Sequence, residues 1–265
     1  MRFALGIEYD GTAFNGWQTQ RDGRSVQAEL ERALSRVADH PVSVTAAGRT
    51  DTGVHAVGQV VHFDTEADRP ERAWTLGVNT ALPPDIAVRW ARRAPEDFHA
   101  RYSARERSYQ YSIFNAPLRS ALLRHRAWWV RRPLGADAMA AAARCLVGEH
   151  DFSAFRAAEC QAKTAIRKIV RLDVRQAGAI LRIDVTANAF LHHMVRNIVG
   201  TLAVVGRGEA DAAWVGEVLA ARDRRRAGMT APAAGLCLVR VDYGVLLLQP
   251  APDMALATHP TRETE

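Results

Sequence analysis

Large apolar side chains alternate with small or polar ones at the start of the chain, which predicts a half-buried β-strand: Phe3, Leu5, Ile7 and Tyr9. Apolar positions at helical spacing follow after residue 25, and Ser25 is placed to cap that helix. The pattern then predicts three more strands, near 42–46, 57–64 and 86–90, and a helix that contains Trp74 and Val78. Together these elements follow a β-α-β-β-α-β order. This order is typical of the split βαβ motif, an antiparallel sheet backed by two helices.

A similar order of elements begins again at Ser108. The apolar pattern predicts strands near 109–113, 170–174, 181–185 and 239–243, and helices near 136–147, 191–205 and after Asp211. The fold is therefore predicted to be α+β, with two similar α/β halves over residues 1–100 and 101–250. Two antiparallel sheets that meet along a basic seam would leave a central cleft. Residues 251–265 are rich in proline and polar residues, and we expect a disordered tail there.

The basic residues are almost all arginine. Of 35 basic residues, only Lys163 and Lys168 are lysines, which leaves 33 arginines, and the formal net charge is +6 with a pI of about 9.7. The planar guanidinium suits phosphate and base edges, so nucleic acid is the candidate partner. The alternative is a bias of genomic base composition, because alanine is also abundant.

Several classes of site are excluded by spacing. Cys145, Cys160 and Cys237 form no CxxC pair, so neither a disulfide framework nor a zinc site is indicated, and a reducing cytoplasm fits. We expect no signal peptide and no membrane span, because no long apolar run is present. No P-loop, Rossmann fingerprint or nucleophile elbow occurs, so we expect no nucleotide cofactor. His192 and His193 are placed at the start of a helix, where adjacent histidines cannot chelate one ion, so we expect no metal.

The most informative stretch is residues 48–56, which read Gly-Arg-Thr-Asp-Thr-Gly-Val-His-Ala. Arg49 and Asp51 share a face if this segment is extended, and a nearby guanidinium favours an ionised carboxylate. An ionised carboxylate suits a nucleophile rather than a general acid. The alternative is an aspartate that only forms the turn.

Two other functions are open at this point. The tripeptide Asp51-Thr52-Gly53 has the form found in aspartic proteases, but a dimer would have to supply the second carboxylate. Tyr109 follows Arg101, Arg105 and Arg107, an arrangement that fits an RNA channel of a non-catalytic RNA-binding module. Tyr109 could equally fill a sheet face, and Arg196 could reach a carboxylate or lie in solvent.

Five blocks of sequence together resemble the TruA family of tRNA pseudouridine synthases. They are the residues 48–56 and four further segments, at 9–18, 79–86, 98–111 and 188–197. The blocks stand in the family's order and cover nearly the whole chain up to about residue 243. The resemblance is therefore more specific than any one motif.

The resemblance implies a pseudouridine synthase fold and the isomerisation of uridine to pseudouridine at positions 38–40 of the tRNA anticodon arm, without a cofactor. It implies that Asp51 is the nucleophile and that Arg196 pairs with it. It also implies that Arg49 holds the target base out of the stack, that Tyr109 packs on the uracil and that Leu236 lines the pocket. The active unit would be a homodimer.

Two chemical questions stay open in the sequence. Asp51 could attack C1′ of the ribose or C6 of the base, and either Asp51 or the Tyr109 hydroxyl could remove the C5 proton.

Overall fold

A computed structural model describes residues 1–244, and the tail predicted for residues 251–265 lies outside them. The first half contains β1 (Arg2–Tyr9), α1 (Val26–Ala38), β2 (Thr45–Ala46), β3 (His55–Asp64), α2 (Val78–Ala81) and β4 (Ile86–Arg93). A wider helical turn, Ala73–Gly77, leads into α2. The predicted β-α-β-β-α-β order is confirmed.

The second half contains β5 (Glu106–Asn115), β6 (Trp128–Val130), α3 (Ala136–Ala143), β7 (Gly148–Asp151), β8 (Ile166–Ala177), β9 (Ile180–Ala187), α4 (Met194–Gly206), α5 (Ala213–Ala221) and β10 (Leu236–Asp242). The apolar pattern did not predict β6 and β7, because strands of three and four residues are too short to show a period. Within residues 1–244, none of the helices combines the length and apolar character that a bilayer crossing requires.

The two halves share one continuous sheet, in the order β4-β1-β3-β10-β5-β9-β8-β7, with β2 added beside β3 and β6 beside β5. The two antiparallel sheets that the apolar pattern predicted are therefore joined along their seam into one sheet. Strand β10, the last one within residues 1–244, lies between β3 of the first half and β5 of the second. It runs parallel to β3 and antiparallel to β5.

The core follows from the amphipathic pattern. The Ser25 hydroxyl accepts the Ala28 N–H at 3.3 Å, which confirms the predicted cap of α1. The inner face of α1 is completely buried at Val26, Leu30 and Leu34. In β5, Tyr111 and Ile113 are fully buried on one face of the strand, as the alternation predicted.

Gly235 allows β10 to begin against β5. A Cβ atom at Gly235 would lie 2.6 Å from ring atoms of Tyr111 and 2.7 Å from the Ser112 carbonyl oxygen. The Tyr111 ring is buried, and its hydroxyl donates to the Pro232 carbonyl at 2.7 Å, so the ring has little room to move.

We expect Gly235→Ala to lower the free energy of unfolding by about 1–3 kcal/mol, because it overpacks this contact. Urea unfolding followed by circular dichroism measures the change. Gly216→Ala is the matched control, because its nearest neighbour is the Cys145 sulfur at 4.0 Å and it lies inside helix α5. That control should be neutral or stabilising. Equal stabilities of the two variants would contradict the close packing of Gly235.

Candidate active site

The turn that carries Asp51 lies at the centre of the sheet, where the two halves join. It connects β2 to β3, and β3 begins at His55, which is paired with Cys237 in β10. On the other side of β10, Leu238 is paired with Tyr109 in β5. Through β10, the strand pairing therefore brings the Asp51 turn of the first half close to Tyr109 of the second half.

The first strand and its following loop hold this turn rigidly. The Trp17 N–H donates to the Thr50 carbonyl at 3.0 Å, and the hydroxyls of Thr50 and Tyr9 are 2.8 Å apart. Gly16 has φ of +92°, and a Cβ there would lie 2.7 Å from the Thr50 carbonyl oxygen. The Gln59 amide donates to the Gly48 carbonyl at 2.7 Å. The backbone around Asp51 is thus fixed before any substrate binds.

Arg196 binds the Asp51 carboxylate directly. Its Nη1 donates to Asp51 Oδ2 at 3.0 Å, and its Nε donates to the Ala231 carbonyl at 2.8 Å. The Asp51 and Arg196 side chains are 23% and 15% exposed, so the carboxylate is shielded but still reachable. Arg196 lies on the first turns of α4 and faces the site rather than solvent. Because the Arg196 guanidinium is held at two points, it fixes the orientation of the carboxylate.

His192 and His193 also reach Asp51, contrary to the helical placement expected for them. Helix α4 begins only at Met194, and His193 adopts a left-handed conformation with φ of 61°. Their Nε2 atoms lie 3.4 Å and 3.3 Å from Asp51 Oδ1 and Oδ2, respectively. Burial lowers the pKa of His193, although the Asp51 carboxylate opposes this effect, and His193 is therefore mostly neutral at pH 7.

These three side chains form a possible metal-ligand set, because one ligand atom of each lies within 4.8 Å of the others. Because His192 and His193 precede the helix, helical spacing does not prevent both imidazoles from approaching the same carboxylate. The Arg196 guanidinium, however, occupies one oxygen of the same carboxylate and repels a cation there. The absence of a metal stays a prediction.

Tyr109 is buried at the same junction, with 8% of its surface exposed. Its ring packs edge-on against Phe190, with centroids 5.1 Å apart. Burial raises the pKa of Tyr109 well above its usual range, and the nearby Tyr9 and Asp51 add to this effect. The phenol therefore keeps its proton at neutral pH and is a hydrogen-bond donor there.

Arg49 and Leu236 flank this centre. Arg49 is exposed, and within residues 1–244 it forms no ion pair with Asp51; the arginine paired with that carboxylate is Arg196. The ion pair between Arg49 and Asp51 that the spacing suggested is therefore not formed in this part of the chain. Leu236 is buried at the start of β10, opposite Tyr111 of β5.

The basic cluster before β5 divides into two kinds of arginine. Arg101 and Arg105 are exposed, but Arg107 is half-buried and donates to four backbone carbonyls. These belong to Ala47, Arg101, Ala104 and Asn188, at 2.6–3.2 Å. Arg107 therefore connects Ala47, which precedes the Asp51 turn, to Asn188, which precedes His192. Because its guanidinium N–H groups already donate to these carbonyls, few remain to bind a phosphate.

His55 has a structural role that the sequence motifs do not indicate. The Gly11 N–H donates to its Nδ1 at 3.0 Å, and its Nε2 donates to the His125 carbonyl at 2.6 Å. His55 thus connects the Asp51 turn to two distant segments. A single sequence carries no signal for a contact across 70 residues.

The chain is similar in sequence to known proteins over most of its length. A model of the tRNA pseudouridine synthase family matches residues 6–103 and 142–244. The tRNA pseudouridine synthase A of Aeromonas hydrophila is 57% identical over 243 residues, which cover 92% of this chain and 90% of that protein. The protein of the same name from Paraburkholderia phymatum is 54% identical, over 95% of this chain and 94% of its own length. The one from Hydrogenovibrio crunogenus is 57% identical, over 91% of this chain and 92% of its own length. The chain belongs to the tRNA pseudouridine synthase family, enzymes that isomerise uridine in tRNA.

Proposed function

We propose that the enzyme converts uridine to pseudouridine at positions 38–40 of the anticodon stem-loop, with Asp51 as the nucleophile. The positions follow from the resemblance of the five sequence blocks to the TruA family. The observation that supports the nucleophile is the Asp51 carboxylate itself. It stands in a rigid turn at the junction of the two halves and is oriented by Arg196.

The reaction replaces the carbon–nitrogen bond between the ribose and the base with a carbon–carbon bond. The bond between N1 and C1′ breaks, a bond between C5 and C1′ forms, C5 loses a proton and N1 gains one. A carboxylate can add to the nucleotide and leave again, as carboxylates do in glycoside chemistry. Attack of Asp51 at C1′ and at C6 both fit a carboxylate that is 23% exposed.

The target base has to leave the stem-loop stack, which costs a few kcal/mol. Arg49 is exposed on the Asp51 turn and is free to occupy the space that the base leaves. Tyr109 and Leu236 supply an apolar floor at the sheet junction on which the uracil packs. Since burial keeps the Tyr109 phenol protonated, we assign C5 proton removal to the Asp51 carboxylate rather than to a tyrosinate.

We further propose that a homodimer in the cytoplasm acts on the tRNA. Exposed apolar side chains of one surface segment support a protein contact: Leu118 and Leu122 are 80% and 84% exposed, and Trp129 is 42% exposed. Sedimentation equilibrium measures the oligomeric state.

The other functions considered do not fit the site. An aspartic protease needs two facing carboxylates that share one proton, whereas the Asp51 carboxylate is bound by the Arg196 guanidinium. A non-catalytic RNA-binding module gives no reason for a shielded, oriented carboxylate at the centre of the sheet.

Asp51→Asn should reduce pseudouridine formation by a factor of at least about 10², because the amide cannot act as the nucleophile. Position-by-position mapping of pseudouridine in unmodified tRNA incubated with the enzyme measures this. Binding of tRNA should survive, since the amide retains the shape of the side chain. A variant that turns over at several percent of the parental rate would remove Asp51 from this role.

Arg196→Ala should lower kcat by about 10- to 100-fold, or about 1.4–2.7 kcal/mol in activation free energy, because the Asp51 carboxylate loses its bound partner. Arg196→Lys should recover part of kcat, since it keeps the charge without the two-point geometry. Single-turnover rates with saturating enzyme separate this effect from binding. The exposed Arg226 gives the control variant Arg226→Ala. If both alanine variants retain parental kcat, the Asp51–Arg196 pair has no catalytic part.

Tyr109→Phe should retain much of the activity and Tyr109→Ala should lose it, because packing of the aromatic ring on the uracil is assigned a larger contribution than the hydroxyl. The same single-turnover assay compares them. A loss in Tyr109→Phe as deep as in Tyr109→Ala would instead give the hydroxyl an essential role in proton transfer.

Arg101→Ala should reduce the slope of log affinity against log salt for tRNA by roughly one, as expected for one lost phosphate contact. Arg105→Ala should act in the same way. Arg107→Ala should lower the unfolding temperature and leave the slope near the parental value, because its guanidinium binds backbone carbonyls. Filter binding at several salt concentrations gives the slopes. A parental slope near zero would show that the positive charge does not contribute to tRNA binding.

A further inference from the structure

One exposed aromatic side chain lies near the active site without a part in the chemistry described above. Tyr102 is 76% exposed, although large aromatic side chains are normally well covered. Its ring lies over the His99 ring, with centroids 4.3 Å apart and planes at 31°. The His99 ring in turn lies 4.8 Å from that of His62 in β3, which is buried. We call these three rings the Tyr102 platform.

The backbone under the Tyr102 platform is fixed by several hydrogen bonds. His99 Nδ1 accepts the N–H groups of both Arg101 and Tyr102 at 3.2 Å, which sets the orientation of the imidazole. The Ala100 N–H donates to His62 Nδ1 at 3.1 Å, and the Tyr243 hydroxyl donates to the Ala100 carbonyl at 2.7 Å. The exposed ring therefore stands on an ordered turn, and a ligand that stacks on it pays little ordering entropy.

Arg107 places the platform at the edge of the active site. Its Nη2 donates to the Arg101 carbonyl at 2.6 Å and to the Ala47 carbonyl at 3.2 Å, and Ala47 directly precedes the turn that carries Asp51. Three residues lie between Ala47 and Asp51, so their Cα atoms are at most about 14 Å apart along an extended chain. Tyr102 is thus within reach of nucleotides close to the target uridine.

A positive charge accompanies the aromatic face. The Arg101 guanidinium carbon lies 5.7 Å from the Tyr102 ring centroid, and Arg101 is itself exposed. Most of the Tyr102 ring stays open despite the contacts with His99 and Arg101. An aromatic ring beside an arginine is the arrangement with which proteins hold unpaired bases, because the base stacks and the guanidinium neutralises the phosphate.

We propose that Tyr102, supported by His99 and accompanied by Arg101, stacks an unpaired base of the tRNA substrate next to the target uridine. The ligand is a nucleobase of a single-stranded loop, recognised by its aromatic face rather than by its hydrogen-bonding edge. The inference rests on the proposed tRNA substrate, and it adds a contact that binds the RNA without touching the reacting atoms.

The test uses full-length enzyme and unmodified tRNA. A stacked base is worth about 1–3 kcal/mol, so Tyr102→Ala should raise KM about 5- to 150-fold, with kcat nearly unchanged. Tyr102→Phe should keep the parental KM, since it retains the ring. Leu76→Ala, at a side chain 68% exposed on another part of the surface, is the control for an exposed apolar truncation.

A second measurement observes the stacking itself. Unmodified tRNA is prepared with 2-aminopurine at one anticodon-loop position at a time, and its fluorescence quenching on binding is recorded. At one position the parent and Tyr102→Phe should quench the probe, and Tyr102→Ala should not. Parental KM and quenching in Tyr102→Ala, or a loss confined to kcat, would overturn the assignment. Absence of pseudouridine with the parent enzyme would instead refute the proposed function, and the quenching series would still decide whether Tyr102 stacks a base.

Discussion

The parallel pairing of β3 with β10 is the constraint on which the active site depends. It consists of two matched positions, His55 with Cys237 and Ala56 with Leu238, yet it inserts β10 between the two halves. Without it, the Asp51 turn and the Tyr109 strand would belong to separate sheets. Parallel pairing of residues so distant in sequence requires closure of a long loop, which packing on both sides of β10 has to offset.

The same junction sets the electrostatics of the site. The Asp51 carboxylate is bound by the Arg196 guanidinium, which comes from the other half of the fold. Arg196 is anchored in turn on Ala231, in the segment that leads into β10. The strand that joins the halves therefore also positions the charge partner. The neutral imidazole of His193 lies beside the pair without adding a second full charge.

Local features were predictable from sequence because neighbouring residues determine them. The cap at Ser25 and the alternation over Tyr109 and Tyr111 each depend on a few adjacent positions, and the structure has both. Recognition of the sequence blocks suggested Arg196 as the partner of Asp51, whereas spacing alone suggested Arg49. An extended segment allows two side chains to share a face, but it does not show whether a distant residue lies closer.

The placement of His192 and His193 shows the same limit at a helix end. Their sequence neighbours follow a helical apolar pattern, and nothing local marks Met194 rather than Leu191 as the start. The left-handed conformation at His193 is uncommon for a residue other than glycine and is maintained by surrounding tertiary contacts. Because those contacts decide it, the approach of both imidazoles to Asp51 was not visible in the sequence.

The arginines of this chain fall into two groups, those that bind internal acceptors and those that are exposed, and their charge alone does not distinguish the groups. Arg107 and Arg224 each direct their guanidinium at several internal acceptors, so they act as branched hydrogen-bond donors within the fold. Arg49, Arg101 and Arg226 are exposed, and none of their guanidiniums forms an ion pair or hydrogen bond with another residue among positions 1–244. A protein that uses arginine in place of lysine gains donors able to join three or four carbonyls at one point. The high pI therefore overstates the charge available to tRNA, and the geometry of each guanidinium, rather than the net charge, identifies the RNA-binding surface.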